Sequence, residues 1–282
     1  MDSVHRFLFE HLDIRGALIR LGPAWRQMLA GRGYAEATGR LLGELTAVTA
    51  MIGNNLKTPG RLTFHLQGHG PVRMLVVDCD EQLRLRGMAK APTDLASAPV
   101  SALFGDGRLA LTLDTNTSRQ PYQSIVPLVG ESIAEVFEHY LAQSEQAPAR
   151  LWLMADAVHA CGLFLQKLPE ADQRDADGWN RVQHLAATVR AAELTLPPEA
   201  LLTRLFPDED IRLYEGRAVS HHCPRNEEKV LEMLRSLGRD EVEAALAEQG
   251  EIVINDDICN QEYRFGPEVL ERLFGAGSRT LH

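Results

Sequence analysis

The chain has few cysteines, no long apolar run and no excess of positive charge. Its four cysteines, at positions 79, 161, 223 and 259, are too widely spaced for a disulfide framework and favour a reducing compartment. No segment approaches the roughly 20 apolar residues that span a bilayer, and the first residues lack an apolar signal segment. A net charge of −10 argues against a general attraction to nucleic acid or anionic lipid. These absences predict a cytoplasmic protein that binds neither membranes nor nucleic acids.

Motifs of common enzyme classes are also missing. The sequence has no P-loop, no protein-kinase motif set, no Gly-x-Ser-x-Gly and no zinc-deaminase pattern. The Gly68-x-Gly70 pair lacks a third glycine and a following helix, so it predicts a turn rather than a dinucleotide-binding loop. Cys79 and Cys161 lie in strand-like apolar runs, where packing in the core is their expected role. We therefore predict no catalytic residue.

Hydrophobic spacing in the first part of the chain predicts an α+β domain. Apolar residues recur at helical steps in residues 1–57, most clearly from Tyr34 to Leu56, so this segment is predicted to be helical. From Arg61 the period changes to two, which predicts a series of strands with one helix inserted over Ser132–Ser144. Residues 1–168 are long enough to bury a core of their own.

Residues 169–217 are predicted to form an amphipathic linker. Residues 169–178 are polar and acidic with few apolar side chains, which is typical of a linker or an exposed loop. Residues 179–196 and 201–206 then each have an apolar stripe, which predicts two helices docked on the domain. Their position beside a polar segment also permits a second role, as a detachable flap over an apolar binding surface.

Residues 218–282 are predicted to form a small C-terminal domain, with helices over Glu227–Leu237 and Asp240–Glu248 and short strands over Glu251–Asn255 and Glu262–Phe265. The domain contains two metal-ligand-like pairs. These pairs are His221-x-Cys223 and Asp256-x-x-Cys259. Thiolate, imidazole and carboxylate are ordinary zinc ligands, and four of them in two clusters can close a tetrahedral structural site. Such a site could stabilise a domain with few large apolar residues. The alternative is that both cysteines are small buried apolar side chains and that His221 lies in a surface loop.

Short motifs follow one another along nearly the whole chain. They are Arg6-Phe7-Leu8-Phe9-Glu10, Leu42-Gly43-Glu44, Leu66-Gln67-Gly68-x-Gly70-Pro71, Tyr122-Gln123, Ser144-Glu145-Gln146-x-Pro148, Leu165-Gln166 and Tyr263-x-Phe265. In this order and spacing the chain resembles the bacterial redox-regulated 33 kDa chaperonin family. The resemblance implies an ATP-independent holdase, not an enzyme, that binds unfolded or partly unfolded client proteins. It also implies a zinc-binding tail, and an active form that is often a homodimer.

The chain departs from this family at the tail cysteines. The resemblance implies a Cys-x-Cys and a Cys-x-x-Cys pair that bind zinc, and that form two neighbouring disulfides and unfold the tail on oxidation. Here Cys223 and Cys259 match the second cysteine of each pair, whereas His221 and Asp256 stand at the first positions. Neither neighbouring disulfide can form, so we expect the two-disulfide switch to be altered or lost. A bridge between Cys223 and Cys259 is conceivable and would be a different reaction.

We expect His221, Cys223, Asp256 and Cys259 still to bind zinc. Imidazole and carboxylate cannot be oxidised to disulfides, so release should depend on heat or acid more than on peroxide. The rival expectation is that the metal is lost and that packing alone holds the tail.

The sequence thus predicts a holdase that is controlled by unfolding of the linker and the C-terminal domain. Docked linker helices bury apolar surface, and loss of tail stability frees them. Clients then bind through non-directional apolar contacts, which need no catalytic residue. Two alternatives from other classes are a zinc-dependent hydrolase, with Glu227 or Glu262 as the base, and a static zinc-stapled adaptor that binds one folded partner.

Overall fold

The computed structural model describes residues 2–56, 58–115, 120–144 and 146–275. Glu145, which belongs to one of the sequence motifs, lies outside the described residues. The chain divides into two compact units, residues 1–222 and residues 223–282. Within the described ranges, no helix is long and apolar enough to cross a membrane.

The first unit combines helices with two sheets. In chain order its elements are β1 Ser3–Phe9, β2 Ile14–Leu21, α1 Pro23–Leu29, α2 Glu36–Gly53, β3 Gly60–Gln67, β4 Met74–Asp80, β5 Arg84–Lys90, α3 Val100–Phe104, β6 Arg108–Thr115, β7 Tyr122–Pro127, α4 Ile133–Ser144, β8 Ala149–Ala155, β9 Ala160–Lys167, α5 Ala171–Arg174, α6 Gly178–Ala186, a 3-10 helix Ala191–Thr195, α7 Pro198–Leu205, β10 Ile211–Leu213, β11 Arg217–Ala218 and β12 Ser220–His221. The first sheet has the order β10-β1-β2-β9-β8, with β11 also paired to β1. The second sheet has the order β12-β5-β4-β3-β6-β7.

Helix α2 lies between the two sheets and forms the centre of the main core. It contacts β2, β8 and β9 of the first sheet and β3, β4 and β5 of the second. Its residues Leu42, Leu45 and Val48 are completely buried. A Cβ atom added at Gly43 would collide with the Cβ of Ala155 and the ring of Trp25. The helix therefore needs a glycine where it approaches the first sheet.

The helical prediction for residues 1–57 is wrong at its beginning, where the chain forms β1 and β2. Ala17 and Ile19 of β2 belong to the core around α2, whereas Ile14 and Leu18 belong to a second core on the opposite face of the same strand. A strand that is buried on both faces has apolar residues at odd and even positions alike. Its sequence can then contain apolar pairs at three- and four-residue steps, which imitates a helix.

The other main elements of this region agree with the sequence. The helix predicted over Tyr34–Leu56 is confirmed as α2, and the strands predicted after Arg61 are confirmed as β3 to β9 with α4 inserted. The predicted turn at Gly68 is confirmed as well, because it follows β3. A Cβ atom at Gly68 would collide with the carbonyl group of Phe104, so the turn packs against the end of α3 without space for a side chain.

Glu44 of α2 is expected to make the stability of the first unit depend on pH. Desolvation by burial raises the pKa of Glu44 to about 7, and the nearby Arg40 opposes this rise only in part. Because the folded-state pKa lies above the unfolded value, the folded chain binds the proton more tightly. This contribution is complete below about pH 4.5 and is lost as pH rises through about 7.

The substitution Glu44→Gln keeps the shape of the side chain and removes its charge. We expect the variant to be more stable than the parent at pH 8, by roughly 1–3 kcal/mol, and equally stable at pH 4.5. Urea unfolding at a series of pH values measures this difference. Glu36→Gln, at the exposed first turn of the same helix, is the matched control and should leave the pH dependence near neutrality unchanged. Parallel pH profiles for Glu44→Gln and the parent would contradict the prediction.

The second unit is small and has its own core. Its elements are α8 Glu227–Leu237, α9 Arg239–Gln249, β13 Ile252–Asp256, β14 Gln261–Phe265 and α10 Val269–Phe274. Strands β13 and β14 form an antiparallel hairpin. The buried residues of this core are Leu234, Val242, Leu246, Ile252, Tyr263, Phe265, Val269 and Leu273. The prediction of two helices followed by two short strands is confirmed.

Candidate functional site: the covered sheet face and the C-terminal cysteine pair

The first sheet has an apolar face on the side opposite α2. Phe7 and Phe9 of β1 lie on this face, and their rings meet edge to face with centroids 5.8 Å apart. Leu163 and Leu165 of β9 extend the same surface, and both are completely buried. We call this surface, formed by Phe7, Phe9, Ile14, Leu18, Cys161, Leu163 and Leu165, the outer sheet face.

The helices predicted as a linker cover the outer sheet face. Val182 and Ala186 of α6 are completely buried in the same cluster, and Leu201 and Leu202 of α7 join them. Phe206, just after α7, packs its ring edge to face on Phe9 with centroids 5.0 Å apart. The remaining linker members of the cluster are Ala171, Trp179, Leu194 and Leu205. The first predicted helix, over residues 179–196, is divided into α6 and the 3-10 helix Ala191–Thr195. Both predicted segments are docked through their apolar stripes.

Ion pairs connect residues of the linker with one another. Arg181 of α6 donates Nε to Glu209 at 2.7 Å and Nη2 to Asp175 at 2.9 Å. Arg204 of α7 pairs with Glu193 at 2.8 Å. These guanidinium groups are partly exposed, and such pairs contribute roughly 0–1 kcal/mol each. Because both partners of each pair lie within the linker, these pairs do not attach it to the sheet. The attachment comes from the apolar cluster and from the backbone pairing of β10 with β1.

The predicted polar segment 169–178 is also attached to the domain. The backbone N–H of Glu170 donates to Oδ2 of Asp13 at 2.9 Å, and the N–H of Leu168 donates to the carbonyl of Asp13 at 3.0 Å. Ala171 in α5 is buried against the outer sheet face. These contacts attach the segment to the domain, so it is not a free loop.

Cys223 and Cys259 are joined by a disulfide within the second unit. Their Cα atoms are 5.3 Å apart. The carbonyl oxygen of Cys223 accepts a hydrogen bond from Nε2 of Gln261 at 2.7 Å. The backbone N–H of Cys259 donates to Oδ1 of Asp256 at 3.1 Å. Polar contacts at both ends therefore position the two cysteines.

The predicted ligands Asp256 and His221 have other structural roles. Asp256 ends β13, and its Oδ1 atom accepts from the N–H groups of Ile258 and Cys259, which shapes the turn between β13 and β14. His221 lies in β12 of the first unit, opposite Leu85 of β5. Burial, with further contributions from the charges of Arg32 and His222, lowers the pKa of the His221 imidazole. His221 is therefore expected to be neutral at pH 7.

The four predicted zinc ligands do not fit a zinc ion in this arrangement. Both sulfur atoms are used in the bond between Cys223 and Cys259. One carboxylate oxygen of Asp256 is occupied by two backbone donors. Across residues 2–275, apart from the undescribed gaps, no three His, Cys, Asp or Glu side chains gather where they could hold a metal ion. Zinc binding by this set stays a prediction, and it requires the bond between the cysteines to be open.

The other two cysteines have the packing role that the sequence predicted. Cys79 and Cys161 are free, and both are completely buried in the first unit. Burial raises the pKa of the Cys79 thiol to about 12 and that of the Cys161 thiol to about 11. Since the thiolate is the reactive form, neither thiol is expected to react near neutral pH.

Comparisons with known proteins agree over nearly the whole chain. The sequence model described as "Hsp33 protein" matches residues 2–266. The chain belongs to the Hsp33 family. A 33 kDa chaperonin of Methylobacillus flagellatus is 41% identical over 276 residues, covering 97% of this chain and 94% of the relative. A 33 kDa chaperonin of Nitrosococcus oceani is 40% identical over 274 residues, again covering 97% and 94%.

A solved structure of an Hsp33 protein also matches this chain. The crystal structure of the 33 kDa chaperonin from Thermotoga maritima superposes with a TM-score of 0.80 at 23% identity, covering 96% of this chain and 97% of that chain. This likeness supports the mixed α+β fold. Family membership confirms that the chain is a chaperone of the Hsp33 class and not an enzyme. Members of the family typically bind zinc.

The outer sheet face is the part of the site that sequence reasoning missed. The apolar stripes of the linker are evident in the sequence, but part of their partner surface lies in β1 and β2, which the sequence analysis predicts to be helical. The signal that could have found it is the run from Ile14 to Leu21, in which apolar or small residues occupy nearly every position. Such a short continuous run, bounded by Asp13 and Gly22-Pro23, is also typical of a buried strand.

Proposed function

We propose that this chain is an ATP-independent holdase whose client-binding surface is the outer sheet face together with the apolar stripes of the linker. In the described structure these surfaces cover each other. When the linker leaves the sheet, both become available to apolar segments of unfolding proteins. The observation that supports this proposal is the separate apolar cluster between linker and sheet, which is distinct from the core around α2.

The two clusters give the linker and the domain different roles. The core around α2 contains residues of both sheets but none from α5, α6 or α7. Undocking the linker therefore leaves this core closed, so the sheet persists as a folded platform. The exposed surface is apolar and non-directional, which suits clients without a common sequence. A net charge of −10 helps to keep complexes with such clients in solution.

We propose that unfolding of the C-terminal unit sets the linker free. The linker, residues 169–217, and then β12 precede Cys223 in the chain. The C-terminal core is formed by few residues, and a core of this size supplies only about 3–5 kcal/mol of stability. Moderate heat is therefore expected to unfold this unit before the first one. We expect the two-disulfide control that the resemblance implies to be altered or lost, because His221 and Asp256 stand at two of the positions where it implies cysteines.

The test is the aggregation of a thermally unfolding client protein, followed by light scattering. The full chain is added untreated, after peroxide, or after brief heating with a reductant. We expect protection after heating without oxidant. Protection of a single folded partner, but of no unrelated client, would support the adaptor alternative instead. Absence of protection in every condition would contradict the holdase proposal.

Zinc binding is a separate proposal for the reduced chain. His221, Cys223, Asp256 and Cys259 provide imidazole, thiolate and carboxylate donors of the type that zinc prefers. Zinc measured per chain by atomic emission, after reduction and dialysis, tests this set, with a Cys259→Ser variant as the control. No step of the proposed holdase function depends on the result. The cytoplasmic location and a homodimeric active form likewise stay predictions.

A further inference from the structure

The disulfide in the C-terminal unit differs in kind from a bond between neighbouring cysteines. Cys223 and Cys259 are 36 positions apart, and the loop that they close contains α8, α9 and β13. A bond between neighbouring cysteines restricts only a few residues. A bond across this distance instead ties the start of the unit to the turn of its hairpin.

The backbone around the two cysteines is positioned by contacts other than the bond itself. The side chain of Gln261 holds the carbonyl of Cys223, and Asp256 holds the N–H of Cys259. The N–H of Asn226 also donates to the hydroxyl of Tyr263 at 2.9 Å, and this tethers the segment just after Cys223 to β14. The Cα separation of 5.3 Å lies within the range that disulfides require, roughly 4.4–6.8 Å. Two reduced thiols on this backbone therefore remain close enough to react with each other.

We propose that Cys223 and Cys259 form a reversible dithiol–disulfide site whose closure stabilises the C-terminal unit. Oxidation would then repress this holdase instead of activating it. The effect on stability stands on the structure of the unit alone, and the effect on the holdase rests on the function proposed above. Cys79 and Cys161 take no part, since both are free and buried in the first unit.

The oxidant is a peroxide, and the reaction balances. One thiolate attacks an oxygen of hydrogen peroxide, the O–O bond breaks, and a sulfenic acid and hydroxide form. The second thiolate attacks the sulfenic sulfur, the S–S bond forms, and a second hydroxide leaves. With the two thiol protons these become two water molecules, so two thiols and one peroxide give one disulfide and two waters. A small dithiol reductant reverses the bond by thiol–disulfide exchange.

Closure should lower the population of the opened unit strongly. A cross-link removes conformations from the unfolded chain, and the effect grows with the length of the closed loop. For a loop of this length the open fraction is expected to fall roughly 30- to 900-fold. A unit with so small a core depends more on such a bond than a large domain does. The bond between Cys223 and Cys259 therefore acts against the unfolding that releases the linker.

Hydrogen exchange of the full-length chain, with a chelator in every sample, tests the stability effect. One sample is kept in dithiothreitol and the other is treated with hydrogen peroxide. After denaturation, alkylation should count four thiols in the first and two in the second. We expect backbone amides of α8, α9, β13 and β14 to exchange at least 30-fold more slowly in the oxidised chain. Amides of β3 and β4 in the first unit should be unchanged.

Two comparisons decide the proposal. In Cys223→Ser, amide exchange should be the same after dithiothreitol and after peroxide. In the parent chain, the dithiothreitol sample shows the effect of an open bond without any substitution. Four thiols after peroxide, or equal or faster exchange in the oxidised tail, would overturn the site. In the aggregation assay, stronger protection after oxidation would overturn the repression. If no treatment gives protection while the exchange difference is present, the holdase proposal fails and the dithiol–disulfide site stands.

Discussion

Val182→Asp is expected to make the holdase active without heat or oxidant. Val182 lies at the centre of α6 and is completely buried against the outer sheet face. A carboxylate there has no cationic partner in the apolar cluster, and burial of an unpaired charge costs several kcal/mol, so α6 should undock instead. The core around α2 does not include Val182. The first unit should therefore stay folded while its outer face opens.

The measurement combines a fluorescence probe for apolar surface with the client aggregation assay, both at a temperature where the parent is inactive. Asn180→Asp is the matched control, because Asn180 is exposed on the same helix and nearly identical in shape to aspartate. It adds the same charge without touching the sheet, and it should behave like the parent. A Val182→Asp chain that binds the probe but does not protect clients would show that the outer sheet face is not the client surface.

The C-terminal unit could be predicted closely because its signals are local. Helix α8 occupies Glu227–Leu237 as predicted, with the Asn226 side chain accepting from the N–H of Lys229 at its start. The helix ends before Gly238, whose φ of 96° suits glycine and few other residues. Capping and turn residues act within a few positions, so a single sequence contains the information.

The N-terminal strands could not be found in the same way, because their pattern depends on distant partners. Residues Ile14–Leu21 are apolar on both faces since α2 covers one side and the linker covers the other. The linker follows about 160 positions later in the chain. When the covering layer is unknown, the apolar pattern of Ile14–Leu21 is equally compatible with a helix. The error in the fold and the missed outer sheet face thus have one cause.

The candidate tail site shows a different limit of sequence reasoning. Residue spacing places Cys223 and Cys259 in one predicted site, and their Cα atoms are 5.3 Å apart. Spacing alone does not distinguish a pair of metal ligands from a disulfide, because both require two sulfur atoms at close range. The local role of Asp256, which shapes the hairpin turn with Oδ1, is equally compatible with the Asp256-x-x-Cys259 motif.

Tyr263→Ala is expected to unfold the C-terminal unit selectively and to activate the holdase in the reduced chain. Tyr263 is buried in the centre of this unit, with the guanidinium of Arg225 over its ring at 4.5 Å from the centroid. Its hydroxyl accepts from the N–H of Asn226 and donates to Oε1 of Gln261, each at 2.9 Å. Removing a large buried aromatic side chain costs about 3–5 kcal/mol. That is comparable to the whole stability expected of so small a core.

Hydrogen exchange resolves the effect by unit. In the reduced Tyr263→Ala chain the amides of α8, α9 and α10 should lose their protection, whereas those of α2 should keep it. Tyr263→Phe is the matched control: it retains the ring and loses only the hydroxyl, at a cost of about 1 kcal/mol, so most of the unit should stay folded. Client protection should rise in the alanine variant and change little in the phenylalanine variant. A tail that unfolds in Tyr263→Ala without any gain in client protection would separate tail unfolding from linker release. In that case the docked linker would respond to a signal within the first unit, where its apolar contacts with the outer sheet face, the pairing of β10 with β1 and hydrogen bonds such as that from Glu170 to Asp13 hold it.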